Sequence, residues 1–206
     1  MELLNRRSSL KLAEIDWRIT LEGAARLLRA CALSIAVAGG LASPARADAP
    51  ADEYRVKAAF LYKFGGYVEW PDSSFARADT PLAIGVMGAD ALADELAQLV
   101  VGRSVAGRRV TVRRLRPGDS IEGLHVLFIG RADSGRMAGV LAAARGRALL
   151  TVTEADDALE LGSTINFVLV DDKVRFDVAP PPGDSGSLKI SARLLAVARK
   201  VVSKPS

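Results

Sequence analysis

Apolar and aromatic side chains recur at steps of three and four residues through the stretch Lys57 to Pro71, KAAFLYKFGGYVEWP. Val56, Ala59, Phe60, Phe64, Tyr67 and Val68 therefore share one face of a predicted helix. Glu53 and Arg55 mark its polar start. Pro71 disfavours the helical conformation in the residue before it, so the helix is expected to end by Glu69 or Trp70, leaving the indole near the surface. Phe60 and Phe64 are expected in the core. Gly65 and Gly66 lie inside the run, each costing about 1 kcal/mol relative to alanine, which points to close packing against the backbone there.

The pattern then changes period. Pro81 to Met87 reads as a buried strand, and Ala91 to Val101 as a helix through Leu92, Leu96, Leu99 and Val100. Arg108 to Leu115 alternates Val110 and Val112 with Arg109, Thr111 and Arg113, a half-exposed strand with a basic face that Pro117-Gly118-Asp119 ends. Leu124 to Ile129 lacks polar alternation and is expected at the centre of a parallel sheet covered on both faces. Met137 to Ala144 reads as a helix, Ala148 to Val152 as a strand, and Glu154 to Leu161 as a short helix or turn. Thr164 to Val170 and Lys173 to Val178 form a hairpin through Asp171-Asp172. A Pro- and Ser/Gly-rich loop, 180–187, precedes an amphipathic helix from Ser191 to Val201. This order predicts an α/β fold: a three-layer sandwich with a mostly parallel, Rossmann-like sheet, right-handed crossovers and an antiparallel C-terminal hairpin at the sheet edge.

The N-terminal region reads differently. Ala30 to Leu41 is an apolar run of signal-peptide length, preceded by Arg26 and Arg29 and followed by Ala45-Arg46-Ala47. It is too short to span a membrane, which takes about 20 apolar residues. Residues 1–47 are thus expected to be a signal peptide cleaved after Ala47, leaving one domain, 48–206, in the periplasm. Residues 1–25 read as an over-extended start. Arg6-Arg7 makes a poor twin-arginine signal because Glu14, Asp16 and Glu22 intervene, and Cys31 a poor lipoprotein site because its apolar segment follows it. Of 28 Lys and Arg against 24 Asp and Glu, residues 1–47 hold seven against four, leaving 21 against 20 for the body. A nearly neutral body gives no footing to nucleic acid. With Cys31 the sole cysteine, the mature chain has no disulfide and no cysteine metal site.

Candidate chemistry is sparse, and neither a metal nor a cofactor is expected. His125, the one histidine, lies in an apolar strand and is read as a hydrogen-bonded core residue. No GxSxG elbow supports a triad, so a hydrolase using Ser134 or His125 is opposed. Glu154, Asp156, Asp157 and Glu160 are read as acids favouring a helix's first turn rather than as acid-base or cation ligands. Between Gly130 and Arg136 a helix start brings Arg131, Ser134 and Arg136 together as an anion or ligand pocket, although capping by Asp133 or Ser134 is the simpler account and no GxGxxG is present. Arg108, Arg109, Arg113, Arg114 and Arg116 read as a solvated edge defended against aggregation.

The stretch Lys57 to Pro71 resembles the opening of the YfiR-like family, KAAFLYNFxxFVEWP, through Lys57 to Tyr62, Phe64 and Val68 to Pro71. A second resemblance lies near the other end. The family's INFxxxDxKxRFEI hairpin is matched by Ile165, Asn166, Phe167, Asp171 or Asp172, Lys173, Arg175 and Phe176, and its KISSRLLxLAR helix by Lys189 to Ser191, Arg193 to Leu195, Ala198 and Arg199. The resemblance covers about residues 53 to 201. It departs at Asp177-Val178, at the proline run, and in lacking the cysteines that some members pair. It implies a non-enzymatic periplasmic inhibitor of an inner-membrane diguanylate cyclase, bound through the cyclase's periplasmic segment and lowering cyclic di-GMP and biofilm formation. Some members are sequestered by an outer-membrane lipoprotein, and a homodimer is left open. Aromatic anchors favour interface hot spots, so Trp70, Phe176, Asp177 and Ile190 are expected to face the partner. The alternative is a small-ligand-binding protein using the crevice near Gly88, Gly130 and Glu154 at the C-terminal ends of the parallel strands.

Overall fold

A computed structural model describes residues 49–181 and 188–202. The segment expected to be a signal peptide, its cleavage site after Ala47, Cys31 and most of the proline-rich loop lie outside the described residues. Helix α1 (Ala49–Phe64) leads into a two-residue strand β1 (Val68–Glu69) and a single 3-10 turn. There follow β2 (Leu82–Met87), α2 (Asp90–Leu99), β3 (Ser104–Val105), β4 (Arg108–Leu115) and β5 (Val126–Ile129). After them come α3 (Ser134–Ala144), β6 (Leu150–Thr153), α4 (Ala158–Leu161), β7 (Ile165–Val170) and β8 (Lys173–Val178). The chain closes with β9 (Lys189–Ile190), α5 (Ala192–Val197) and β10 (Lys200–Val201).

Eight strands form one sheet in the order β10-β8-β7-β6-β5-β2-β4-β3, and β1 pairs with β9 in a separate antiparallel ribbon. The run β4-β2-β5-β6-β7 is parallel, so the expected α/β architecture is what forms. β5 lies at its centre with every residue buried, as its unbroken hydrophobic pattern requires. Two apolar layers flank the sheet. One joins α1, α2 and α5 to Ile84, Val126, Phe128, Val152 and Ile165. The other joins α3 and α4 to Met87, Leu127 and Ile129. Within the first layer Phe60, Phe64, Phe167 and Phe176 form a continuous aromatic cluster with centroids 5.1–6.0 Å apart.

The hairpin β7–β8 turns on Asp171-Asp172, both with positive φ (49° and 56°). Asp tolerates that conformation, and two such residues suit the twist of a tight hairpin. A second hairpin, β3–β4, turns on Ala106-Gly107, also at positive φ. Only its glycine was a signal in the sequence.

Three features differ from expectation. Helix α1 stops at Phe64 instead of reaching Glu69 or Trp70, because the chain turns at Gly65-Gly66 with Gly66 N–H donating to Lys63 O and Tyr67 N–H to Phe64 O. A Cβ at Gly65 would lie 3.0 Å from Leu82 Cδ2, so the close backbone approach is real but sits at the helix end. The helix also presents Lys57, Ala58, Leu61 and Phe64 inward, while Val56 and Tyr67, expected on the buried face, are exposed. At the other end α5 finishes at Val197, and Lys200-Val201 continues as a parallel strand on β8. The hairpin is therefore one strand in from the edge.

Exchanging Phe64 for alanine is expected to cost about 3–5 kcal/mol in urea unfolding, whereas Val56→Ala shifts stability by no more than about 0.5 kcal/mol. Equal losses would mean that the corrected helix register is wrong.

Candidate functional site

Lys57 is 1% exposed, and a buried ammonium persists only with a partner. Its Nζ is hydrogen-bonded to Glu53 one turn back on α1 and to Glu154 Oε2 just past the end of β6. Glu154 is equally enclosed, its side chain fully buried. Its other oxygen, Oε1, accepts from the Arg131 backbone N–H at 3.1 Å, and Arg131 Nε donates back to Glu154 O at 3.4 Å. Arg131 Nη2 stands 3.7 Å from Glu53 Oε1. Two basic and two acidic side chains thus form one closed network, which Tyr54 and Phe167 border with rings 5.5 and 5.9 Å from the Lys57 ammonium. Burial, and then the carboxylates of Glu154 and Glu53, raise the Tyr54 pKa above its usual value.

Glu154 is accordingly not an acid in a helix's first turn: α4 begins at Ala158. Neither Lys57 nor Glu154 stood out as a pair in the sequence. A signal existed, since Lys57, Leu61 and Phe64 stand at i, i+4 and i+7, and a lysine within an apolar stripe demands a buried acid.

Next to this network lies a cleft of about 880 Å³ between the start of α3 and the face of β7. Of the predicted anion-pocket residues, Arg131 and Ser134 line it. Arg136 does not: its guanidinium is bonded to Asp133 at 2.9 Å. The crevice expected near Gly88 and Gly130 is filled. Gly88, at φ +68°, lies so near Asp133 that a Cβ would meet its backbone nitrogen at 2.9 Å. In a parallel sheet whose strand order reverses between β2 and β5, this is the usual ligand position, and here Asp133 occupies it. The open space has moved along the sheet to the ends of β6 and β7, where Glu154 sits.

Two residues expected on a partner-facing surface are corrected. Phe176 is 3% exposed within the aromatic cluster, and Asp177 is 6% exposed. Both Asp177 oxygens accept from Arg199, Oδ1 from Nε at 2.7 Å and Oδ2 from Nη2. These two positions fasten β10 to β8 and are not available as anchors. Trp70 and Ile190 are half-buried. Ile190 stands opposite Val68 in the β1–β9 ribbon, and Trp70 Nε1 donates to His125 O at 3.2 Å.

His125 is 2% exposed. Its Nδ1 accepts the Ala83 N–H at 3.1 Å, so Nε2 carries the proton and donates to Ser74 O at 3.1 Å. Phe75 stacks on the ring at 4.3 Å, and the Arg108 guanidinium lies 3.8 Å from the Phe75 ring on its way to three backbone carbonyls between Arg77 and Thr80. Both ring nitrogens are committed to backbone, so the imidazole is a structural element and not a poised base. Among the described residues no cluster of three or more His, Cys, Asp or Glu could hold a metal, and no helix is long and apolar enough to cross a membrane.

The family model described as YfiR/HmsC-like matches residues 54–199, and the chain belongs to that family. A search of curated proteins returns no match.

The His125 pKa is lowered from its usual value near 6.5, by burial first and by the nearby Arg108 charge, against the opposing Ser74 hydrogen bond. The unfolded chain therefore takes up this proton at higher pH than the folded one, and the folded state loses stability as pH falls from about 6.5 towards the folded pKa. Urea midpoints measured between pH 8 and pH 5 should fall more steeply for wild type than for His125→Asn, whose amide oxygen can still accept from Ala83 N–H. Parallel profiles would contradict the assignment.

Proposed function

On the footing of that family membership, we propose that the protein is a periplasmic regulator that restrains an inner-membrane diguanylate cyclase by binding its periplasmic segment, lowering cyclic di-GMP and biofilm formation. The observation that carries this reading is the family match over 54–199, which takes in both motif-bearing ends of the chain. The chemistry of the described residues favours a binding role. The imidazole is held by backbone, and the buried charged groups beside the cleft are occupied with one another. The same proposal includes export on residues 1–47 with cleavage after Ala47, a single domain over 48–206, and an outer-membrane lipoprotein as a second partner.

The cyclase-facing contacts fall in two separate places, the tip of the β7–β8 hairpin beyond the C-terminal ends of the parallel strands and the β1–β9 ribbon at their opposite ends, beside His125. Leu169 and Val170 are 45% and 36% exposed at that tip, paired in register with Val174 and Lys173. They supply the apolar contact that buried Phe176 cannot. Trp70 and Ile190 supply the ribbon's share, at some cost to folding if replaced. A second reading, a small-ligand-binding protein, is favoured by the cleft itself, whose volume lies within the range of about 300–1,000 Å³ common for small-molecule sites.

The joint substitution Leu169→Asp and Val170→Asp is expected to leave folding stability within about 1 kcal/mol of wild type, both positions being exposed. Cyclic di-GMP and surface attachment should rise to the level of a gene deletion. Normal restraint by the double variant would move the contact surface elsewhere. A deletion strain with unchanged cyclic di-GMP would end the regulatory reading.

A further inference from the structure

The cleft beside Glu154 contains a buried side chain with unused hydrogen-bonding capacity. Asn166, on β7, is 8% exposed. Its Oδ1 accepts from Ala155 N–H at 3.2 Å and from Thr153 Oγ1 at 2.8 Å. A backbone N–H can only donate, so the amide is fixed with its oxygen on that side. The amide –NH2 is left with no partner among the described residues, and Asn166 lines the cleft. The enclosed side-chain atoms without a partner among the described residues are Ser74 Oγ and Ser191 Oγ, so the Asn166 –NH2 is open to the cleft, and a donor held there in one orientation is preorganised for an acceptor that enters.

The other walls supply donors too. Ser134 and Gly135 open helix α3 on the rim, where the helix dipole is positive; the Ser134 N–H is already donated to Arg131 O in the 3-10 turn before it, so the serine offers its hydroxyl. Arg131 reaches over the cleft with 58% of its side chain exposed, and Arg199 lines it from the far side, bonded to Asp177. Glu154 does not oppose an anion, because its enclosed carboxylate is taken up by Lys57 and by Arg131 N–H. Asp156 is the one exposed acid in the lining. Alternation along the hairpin puts Lys173 and Arg175 on the same sheet face as Asn166, opposite Val170 and Val168.

We propose that this cleft is a subsite for a small oxyanion, the carboxylate or phosphate group of a soluble molecule, held by the Asn166 amide, the Ser134 hydroxyl and the Arg131 guanidinium. The site adjoins the cyclase-facing hairpin tip, whose Leu169 and Val170 also line the cleft, and does not depend on the regulatory reading.

The probes are sodium phosphate and sodium acetate, each titrated into the 48–206 protein against sodium chloride at matched ionic strength, with the Asn166 side-chain and Ser134 and Gly135 backbone amide signals followed by NMR. Saturable movement of these signals with phosphate or acetate, and none with chloride, is expected. A response to acetate alone identifies a carboxylate site, and one to phosphate alone a phosphate site. Asn166→Asp keeps both acceptor bonds to Ala155 and Thr153 but puts a negative oxygen where the –NH2 was, and should weaken binding roughly tenfold or more. Ser134→Ala, at an exposed position, should weaken it as well and provides the test if Asn166→Asp fails to fold. No saturable movement with either probe, or equal affinity in the folded variants, would show an adventitious ion only and overturn the proposal. Since no cyclase enters the titration, that failure would leave the regulatory reading untouched.

Discussion

A lysine at the centre of an apolar helix face is the constraint on which the arrangement depends. Removing an ammonium from water costs several kcal/mol, and the cost is met only where carboxylates hold it in good geometry. Lys57 has two such partners, Glu53 on its own helix and Glu154 beyond β6. The helix can therefore sit on the sheet in one register, with Lys57 over the end of β6 and Leu61 and Phe64 beneath it in the core. Glu154 in turn fixes the backbone of Arg131, so the beginning of α3 is placed by the same network. The cleft exists where it does because these three segments meet there.

The C-terminal part is closed by a matching device. Arg199 holds Asp177 through two bonds while its backbone N–H donates to Phe176 O, which keeps β10 on the sheet. Phe176 on the other face of β8 packs on Phe60 and Phe64. Val68 and Ile190 face one another across the β1–β9 ribbon. The two sequence motifs, more than a hundred residues apart, are thus neighbours, and most of their hydrophobic positions are spent on holding the chain together. Surface roles fall to residues around them: the exposed hairpin tip and the cleft rim.

Strands were easier to read in the sequence than side-chain roles. β2, β5, β7 and β8 show themselves as apolar or alternating runs bounded by turn residues, and their placement follows. The end of α1 is hidden in the sequence because the apolar spacing continues through Tyr67 and Val68 while the glycines stop the helix. β1, β3, β9 and β10 are two residues long, too short for any periodicity, and form because a neighbouring backbone has free hydrogen-bonding groups. Phe176 and Asp177 looked like surface anchors since a hairpin position does not say which face is covered. The Lys57–Glu154 pair spans ninety-seven positions, and no local pattern connects its members.

The most direct test of this account is a double-mutant cycle on that pair, read by urea unfolding at pH 7. Lys57→Met leaves Glu53 and Glu154 without their shared cation and is expected to lose about 3–5 kcal/mol. Adding Glu154→Gln removes one of the two stranded charges while keeping an acceptor for Arg131 N–H, so the double variant should recover part of that loss, with a coupling of roughly 0.5–3 kcal/mol. Losses that simply add would contradict a buried pair as the interaction that sets the helix on the sheet.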